Sequence, residues 1–164
     1  LTNILFPESS LAIIKATQRK MRKSKKMNRE ESIMLNENVT KVLETSMWDL
    51  GTCAGGEPYV VPVAFKFVTK DGKLAVGDVF LDTTLRNLRE NNGKIAVSVY
   101  DASSLEGYQI KGTAEYLTQG EIVEKFREMV ETMFHGAASA KGALLITPEK
   151  VIVTTPGADN KKEL

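Results

Sequence analysis

Residues 58–88 read PYVVPVAFKFVTKDGKLAVGDVFLDTTLRNL, and they carry most of the information about the fold. Two apolar runs, 58–68 and 73–81, are rich in β-branched and aromatic residues, which favours β-strands. The turn 70–72 between them ends in glycine, so the two runs form a predicted antiparallel hairpin. Residues 82–88 follow directly, and their two leucines at helical spacing predict a short helix after the second strand.

Two threonines stand at the start of this predicted helix. Backbone N–H groups in the first turn of a helix have no partner within the helix and carry partial positive charge. The hydroxyls of Thr83 and Thr84 would add donors beside them, and Thr84 is also a candidate N-cap. The pattern therefore indicates a site for the phosphate of a small molecule.

Both predicted strands of the hairpin contain interruptions. Pro62 lacks the N–H donor of the ladder, so it marks a sheet edge, a bulge or a break that faces a ligand. Gly77 and Asp78 interrupt the run of apolar residues in the second strand. A glycine in such a strand indicates that another group approaches the backbone closely.

The composition is that of an ordinary globular protein of 164 residues, of which 42% are hydrophobic and 26% charged. This length suits one domain with a real core. Cys53 is the only cysteine and His135 the only histidine. An internal disulfide, a Cys-rich or multi-His metal site and a Ser-His-Asp triad are therefore disfavoured. We assign no metal ligand and no catalytic side chain.

Charge divides the chain into two parts. Residues 1–29 hold eight Lys or Arg and one Glu, a formal charge of +7, whereas residues 30–164 hold 14 Lys or Arg and 20 acids, a charge of −6. We interpret residues 1–33 as a basic tail, disordered or forming a helical extension, that folding does not require. A domain at 34–157 and a polar C-terminal tail at 158–164 follow.

The basic run Lys15–Lys26 fits two interpretations, a solvated tail or an arm that contacts nucleic acid, and the first is preferred. Its charges follow a short apolar stretch, which is not the order of a secretory signal. Elsewhere the sequence lacks the roughly 18 consecutive apolar residues of a membrane helix. We therefore expect a cytoplasmic protein with no membrane partner.

The rest of the sequence predicts more strands and two further helices. Asn36 is a candidate cap for the first helix, and Thr118–Glu121 has the pattern of a capping box for the last. Gly112 interrupts a strand as a bulge would. Further strands are predicted at 47–54, 94–101, 108–116, 143–147 and 151–155, the last two hinged at 148–150. About seven strands suggest a closed or partly closed antiparallel barrel.

Four ordered motifs, at residues 58–65, 82–88, 106–114 and 141–146, make a family resemblance specific. Over residues 36–155 they closely resemble the pyridoxamine 5′-phosphate oxidase-like FMN-binding split-barrel family, and its small flavoprotein branch in particular. The resemblance implies a mainly β fold with inserted helices, a six-stranded antiparallel split β-barrel of Greek-key type. It also implies a homodimer with one FMN per subunit in a cleft at the subunit interface.

The resemblance further implies which residues hold the cofactor. The strand matching 61–65 would lie along the isoalloxazine ring, residues 78–80 would line its pyrimidine side, and Thr83 and Thr84 would bind its phosphate. The implied cofactor-binding residues are Pro62, Val63, Ala64, Lys66, Asp78, Val79, Phe80, Thr83, Thr84, Asn87, Gln109 and Lys111. A flavin needs an apolar face, peptide groups and phosphate donors, which Val63, Phe80 and the threonine turn would supply.

The sequence departs from the family at the phosphate turn. The family usually carries Lys or Arg where this chain has Thr83, and Asp82 precedes it here. Charge-assisted hydrogen bonds are roughly twice as strong as neutral ones, so this exchange weakens phosphate binding. Lys66 and Lys111 are two candidate replacements for the missing cation.

These observations predict a flavoprotein that acts as an oxidoreductase or electron carrier with a small-molecule redox partner. Two alternatives stay open: a relative that uses a deazaflavin or haem, and a dimeric split barrel without flavin that serves as a binding module. Three further side chains are interpreted as structural. Trp48 and Tyr108 are predicted packing residues, and Cys53 is predicted to be a small buried hydrophobe.

Overall fold

The computed structural model describes residues 33–164, so the basic run Lys15–Lys26 lies outside the described residues. The elements in chain order are α1 (Glu37–Thr45), β1 (Trp48–Ala54), β2 (Glu57–Val63), β3 (Lys66–Val68), β4 (Leu74–Asp78), α2 (Asp82–Glu90), β5 (Lys94–Tyr100), β6 (Gly107–Leu117), α3 (Glu121–Phe134) and β7 (Gly142–Val153). No helix within this described part is long and apolar enough to cross a membrane.

The strands form one antiparallel sheet in the order β2-β1-β5-β6-β7-β4-β3. β2 and β3 lie at opposite edges of this order, although only Ala64 and Phe65 separate them in the chain. The sheet must therefore curve until its edges meet at that connection, which makes a barrel that is split along one side. The predicted mainly β split barrel is confirmed. The described residues form seven strands where the family resemblance implies six, because the predicted strand 58–68 is divided into β2 and β3.

The barrel interior is filled by side chains that alternate with outward-facing ones. In β5, Ile95, Val97 and Val99 are buried, whereas Lys94 and Ser98 are exposed. This is the period-2 pattern of a strand with one face on the core. The same alternation along β1 and β6 completes an apolar core inside the barrel.

α1 contributes to the same core from outside the sheet. Its N-cap is Asn36, as predicted, because Oδ1 accepts a hydrogen bond from the Val39 N–H at 2.9 Å. Val39 and Leu43 are fully buried in the core. Trp48 is also fully buried, and its Nε1 donates to the Leu43 carbonyl at 2.7 Å. The predicted packing role of Trp48 is confirmed, and its hydrogen bond ties the end of α1 to the start of β1.

α3 packs against β4 and β7 through a second apolar cluster that includes Phe126. A Cβ on Gly77 would lie 2.7 Å from Cδ1 of Phe126, so β4 needs glycine where this ring rests. The predicted close approach at Gly77 is confirmed, and the approaching group is an aromatic side chain. The predicted capping box of α3 is wrong, because Gly120 is the N-cap and no side chain bonds there.

β7 is one continuous strand and not the two strands hinged at 148–150 that the sequence predicted. Its pairing with β6 shifts at Gly112, which leaves Glu149 as one extra residue after Pro148. The bulge accommodates Pro148 in the strand without a ladder donor. A Cβ on Gly112 would collide with the Thr147 carbonyl oxygen, so glycine is required there. The bulge predicted at Gly112 is confirmed.

The last residues of the chain fold back on the end of β7. The Lys161 N–H donates to the Val153 carbonyl at 2.8 Å, and the Leu164 N–H donates to the Val151 carbonyl at 2.9 Å. The polar C-terminal tail is therefore attached to the barrel by backbone hydrogen bonds.

Candidate functional site

The split in the barrel lies where β2 and β4 separate. The Gly77 N–H donates to the Phe65 carbonyl at 2.9 Å, and beyond this bond the two segments take different partners. β2 pairs with β1, whereas β4 continues along β7. Residues 62–64 therefore border one side of a gap and residues 78–81 the other, and residue 81 leads directly into α2. We call this gap the split.

The predicted site residues along the split differ in what they present to a ligand. Phe80 is 77% exposed, so its ring is a large apolar surface open to solvent. Pro62 and Ala64 on the other side are also exposed. Val63 and Val79 are each 8% exposed and pack into the two apolar clusters. Their backbone groups, and not their side chains, are what a ligand in the split could contact.

The Asp78 side chain has a structural role at the split. It is 1% exposed, and Oδ1 accepts from the Leu81 N–H at 3.0 Å while Oδ2 accepts from the Tyr116 hydroxyl at 2.7 Å. Lys141 Nζ lies 3.6 Å from Oδ1. Burial, followed by the hydrogen bond to Asp78, raises the pKa of Tyr116 to about 12. The hydroxyl thus stays a donor, and the carboxylate fixes the turn that precedes α2.

The first turn of α2 contains a buried hydroxyl that lacks a partner. α2 begins at Asp82 with Leu81 as N-cap and no side-chain cap, so the predicted cap at Thr84 is wrong. Thr84 is the third helical residue and is 1% exposed. Within residues 33–164 its Oγ1 has no hydrogen-bond partner. Buried polar atoms are normally paired, so this hydroxyl indicates a partner from outside residues 33–164.

Arg86 is a functional candidate that the sequence reasoning missed. Its Nη2 lies 3.4 Å from Thr83 Oγ1, which accepts a long hydrogen bond. No carboxylate forms an ion pair with Arg86 in the part of the chain that the structure describes. Residues three apart share a helix face, and this spacing was the available signal. Asp82 is exposed in the same turn and adds a negative charge there.

Lys66 is engaged at the C-terminus of α1. Its Nζ donates to the Leu43 carbonyl at 2.6 Å and to the Glu44 carbonyl at 3.1 Å, and it lies 5.1 Å from the centre of the Trp48 ring. Burial lowers the pKa of Lys66, which the nearby Glu44 partly offsets. The ammonium group therefore serves as a cap for α1 in this structure, and its contact with a cofactor stays a prediction.

Asparagine side chains attach α2 to the barrel. Asn87 Nδ2 donates to Thr52 Oγ1 at 3.1 Å, and both residues are 6% exposed. Asn91 Nδ2 donates to the carbonyls of Cys53 and Lys94, each at 3.0 Å. The predicted site residue Asn87 thus holds the helix on β1, and these bonds fix where the first turn of α2 lies.

Gln109 and Lys111 lie away from the split within one chain. The register places Pro62 opposite Asp49, Asp49 opposite Ser98 and Ser98 opposite Gln109, three strand spacings in all. Three spacings amount to roughly 14 Å along the curved sheet. Lys111 lines a groove of about 730 Å³ whose other lining residues include Gly51, Val60, Ala96 and Glu149. The structure therefore places nine of the predicted residues on or beside β2, β4 and α2, one, Lys66, on β3 with its ammonium group at the end of α1, and these two on β6.

Cys53 and Tyr108 were both predicted to be buried. Tyr108 is 5% exposed, and its predicted packing role is confirmed. Cys53 is exposed, so the prediction of a buried hydrophobe is wrong. Its neighbour Thr52 is buried, and alternation along β1 turns Cys53 outward.

Residues 36–156 match the family described as Pyridoxamine 5′-phosphate oxidase. The chain belongs to the pyridoxamine 5′-phosphate oxidase family. This confirms the resemblance found in its motifs. A relative in Methanocaldococcus jannaschii, the protein MJ0282, is 31% identical over 133 residues, which cover 79% of this chain and 87% of that protein.

Solved structures share the fold of this pyridoxamine 5′-phosphate oxidase family member. An FMN-binding protein from Syntrophomonas wolfei has a TM-score of 0.63 at 15% identity, and the match covers 89% of this chain and 99% of that one. An F420 reductase has a TM-score of 0.53 at 16% identity, with 70% and 95% covered. At these identities the likeness shows the common split barrel.

Proposed function

We propose that this protein is a cytoplasmic FMN-binding flavoprotein that acts as an oxidoreductase or electron carrier with a small-molecule redox partner. The observation that carries the proposal is the buried Thr84 hydroxyl in the first turn of α2, for which residues 33–164 supply no hydrogen-bond partner. FMN ends in a phosphate, which accepts hydrogen bonds from hydroxyls, helix N-terminal N–H groups and guanidinium groups. The first two turns of α2 offer all three kinds of donor.

The split suits the ring of a flavin. Phe80 offers an exposed apolar surface, and the connection between β2 and β3 offers peptide groups at the exposed Ala64, where the sheet is interrupted. FMN, when bound, supplies hydride or single-electron transfer through its ring. The residues of the split would orient the ring and restrict the access of water to it.

A homodimer would complete this site. Gln109 and Lys111 are three strands from β2, so they would meet a ring in the split only if a second copy presented them. Val60 and Tyr100 are apolar side chains exposed by 66% and 61%, and their strands β2 and β5 flank β1. A second copy that covered them would remove this apolar surface from water.

A deazaflavin is the second candidate cofactor. An F420 reductase has the same fold. The exposed Asp82 and the neutral Thr83 also give this phosphate turn an unusual charge for an FMN site. Haem and a flavin-free binding module follow as further alternatives.

The visible absorption spectrum of the purified full chain tests the proposal. We expect a yellow protein that releases stoichiometric FMN, or a cofactor-free fraction that binds FMN on titration. F420 and haem titrated into the same fraction serve as competitors. Protein that binds F420 or haem and ignores FMN would support the alternative cofactor, and protein that ignores all three would support a binding module.

A further inference from the structure

We propose that Arg86 supplies the positive charge that recognises the cofactor phosphate, so that the site distinguishes a phosphomonoester from the same ring without phosphate. This inference rests on the proposed FMN site and identifies its specificity-determining residue. Arg86 lies one turn after Thr83 on α2, with Nη2 3.4 Å from Thr83 Oγ1. The guanidinium and the hydroxyl are thus neighbours that could contact the same anion.

Three lysines of the barrel either contact other groups of the chain or lie on a strand away from β2. Lys66 bonds the two carbonyls at the end of α1, and Lys141 lies 3.6 Å from the carboxylate of Asp78. Lys111 is on β6, three strands from β2. Arg86 is exposed and has no ion-pair partner among residues 33–164. Among these four cations of one chain, Arg86 is therefore the one left available beside the first turn of α2.

The Thr84 hydroxyl is an independent sign of a ligand at this turn. It belongs to a residue that is 1% exposed, and within the described chain its oxygen has no partner. A phosphate oxygen is an acceptor for such a donor. The guanidinium fork of Arg86 matches the tetrahedral oxygens of a phosphate, and a bidentate contact adds geometric selectivity to charge.

Because Asp82 is negatively charged, phosphate binding at the first turn of α2 depends on Arg86. Asp82 is exposed at the first position of α2 and repels an incoming dianion. The helix N-terminus carries only about half an elementary charge, so it offsets this carboxylate in part. With Arg86 the turn is favourable for a phosphate, and without Arg86 the net charge beside the hydroxyls is negative.

The test compares Arg86→Gln with Arg89→Gln in the full chain. Arg89 is exposed near the end of the same helix, so its replacement removes the same charge away from the first turn. FMN and riboflavin are titrated separately into cofactor-free protein, with flavin fluorescence as the readout. We expect Arg86→Gln to weaken FMN binding by about 10- to 100-fold, as for loss of a charge-assisted bond. Riboflavin binding should stay within about twofold, and Arg89→Gln should change neither affinity.

Restoration of charge provides a second variant. Thr83→Lys in the Arg86→Gln background places a cation in the preceding turn and should recover most of the FMN affinity. Circular dichroism establishes that each variant is folded.

Several results would overturn the inference. Unchanged FMN affinity in Arg86→Gln would remove the role of Arg86 while the flavin proposal stands. Equal loss of FMN and riboflavin would show a merely structural effect. If the wild-type chain bound no FMN at all, the flavin proposal would fail, and the Arg86 inference with it.

Discussion

The Tyr116 hydroxyl donates to Oδ2 of Asp78 at 2.7 Å, which links β6 to the end of β4 immediately before α2. The other carboxylate oxygen accepts from the Leu81 N–H at 3.0 Å. One buried carboxylate thus holds both the strand that borders the split and the residue that starts the helix. Its hydrogen bonds help to determine where the first turn of α2, the proposed phosphate site, lies, although Asp78 need not touch a ligand.

Tyr116→Phe should destabilise the fold. The substitution keeps the ring and leaves one oxygen of the nearly inaccessible Asp78 carboxylate without its donor, which costs about 1–3 kcal/mol. The free energy of unfolding in urea measures the effect. Tyr100→Phe is the matched control, since Tyr100 is 61% exposed in the single chain and the substitution keeps the ring that a second copy would cover. It should change stability by less than about 0.5 kcal/mol. Equal stability of the two variants would contradict the role given to Tyr116.

The raised pKa of Tyr116 predicts how stability depends on alkaline pH. Its pKa is raised to about 12 in the folded protein, whereas tyrosine in an unfolded chain titrates near 10. The folded state keeps a proton that the unfolded chain loses, so the stabilisation is complete below pH ~10 and is lost between about 10 and about 12. Urea denaturation across this range should show a steeper fall for the wild type than for Tyr116→Phe. Tyr108, with its pKa also raised to about 12, is present in both proteins and cancels. Parallel curves would count against the prediction.

Gly77→Ala should strain the contact between β4 and α3. The added Cβ would lie 2.7 Å from the Phe126 ring, and overpacking of this kind costs about 1–3 kcal/mol. Thermal unfolding checks the single variant. The double variant Gly77→Ala with Phe126→Leu removes the ring that collides, so it should be more stable than the sum of the two single effects. Simple additivity would show that the ring is not the cause.

Thr84→Val and Thr52→Val distinguish a hydroxyl proposed to bind the ligand from a hydroxyl that stabilises the fold. Both threonines are buried, but among the residues that the structure describes only Thr52 Oγ1 has a partner, Asn87 Nδ2 at 3.1 Å. Thr52→Val should therefore cost about 1–2 kcal/mol. Thr84→Val should leave stability unchanged or slightly higher and weaken FMN binding about tenfold or more. Chemical denaturation and FMN titration measure the two effects. Loss of stability in Thr84→Val with normal FMN binding would reverse the assignment.

The sequence was most informative where pattern and chemistry agree. The alternation of Ile95, Val97 and Val99, the Asn36 cap and the glycine at the Gly112 bulge could all be predicted, because each depends on neighbours close in sequence or on the period of a strand. The split-barrel topology came from the family motifs. Long-range pairing is not contained in local periodicity, so the number of predicted strands alone indicated only a barrel.

The errors have a common physical origin in contacts between distant elements. The N-cap of α2 was predicted at Thr84 and lies at Leu81, because the Asp78 carboxylate, outside the helix, holds the Leu81 N–H. Lys66 was a candidate phosphate ligand, and only the fold brings it to the carbonyls of α1. Cys53 was the exception: alternation with the buried Thr52 predicts an outward side chain, and the apolar neighbourhood was given too much weight.

Val60→Glu tests the proposed homodimer together with the site it would complete. Val60 is 66% exposed on β2, and a carboxylate buried there between two copies would lack a partner. By light scattering after gel filtration we expect a dimer for the wild type and a monomer for Val60→Glu. FMN affinity should fall as well, because Gln109 and Lys111 of a second copy would no longer reach the split.

Met133→Glu, at a side chain 62% exposed on α3, is the matched control and should stay dimeric with normal FMN affinity. A dimeric Val60→Glu beside a monomeric Met133→Glu would move the interface from β2 to α3. Monomeric Val60→Glu with full FMN affinity would instead show that one chain binds the cofactor without its partner.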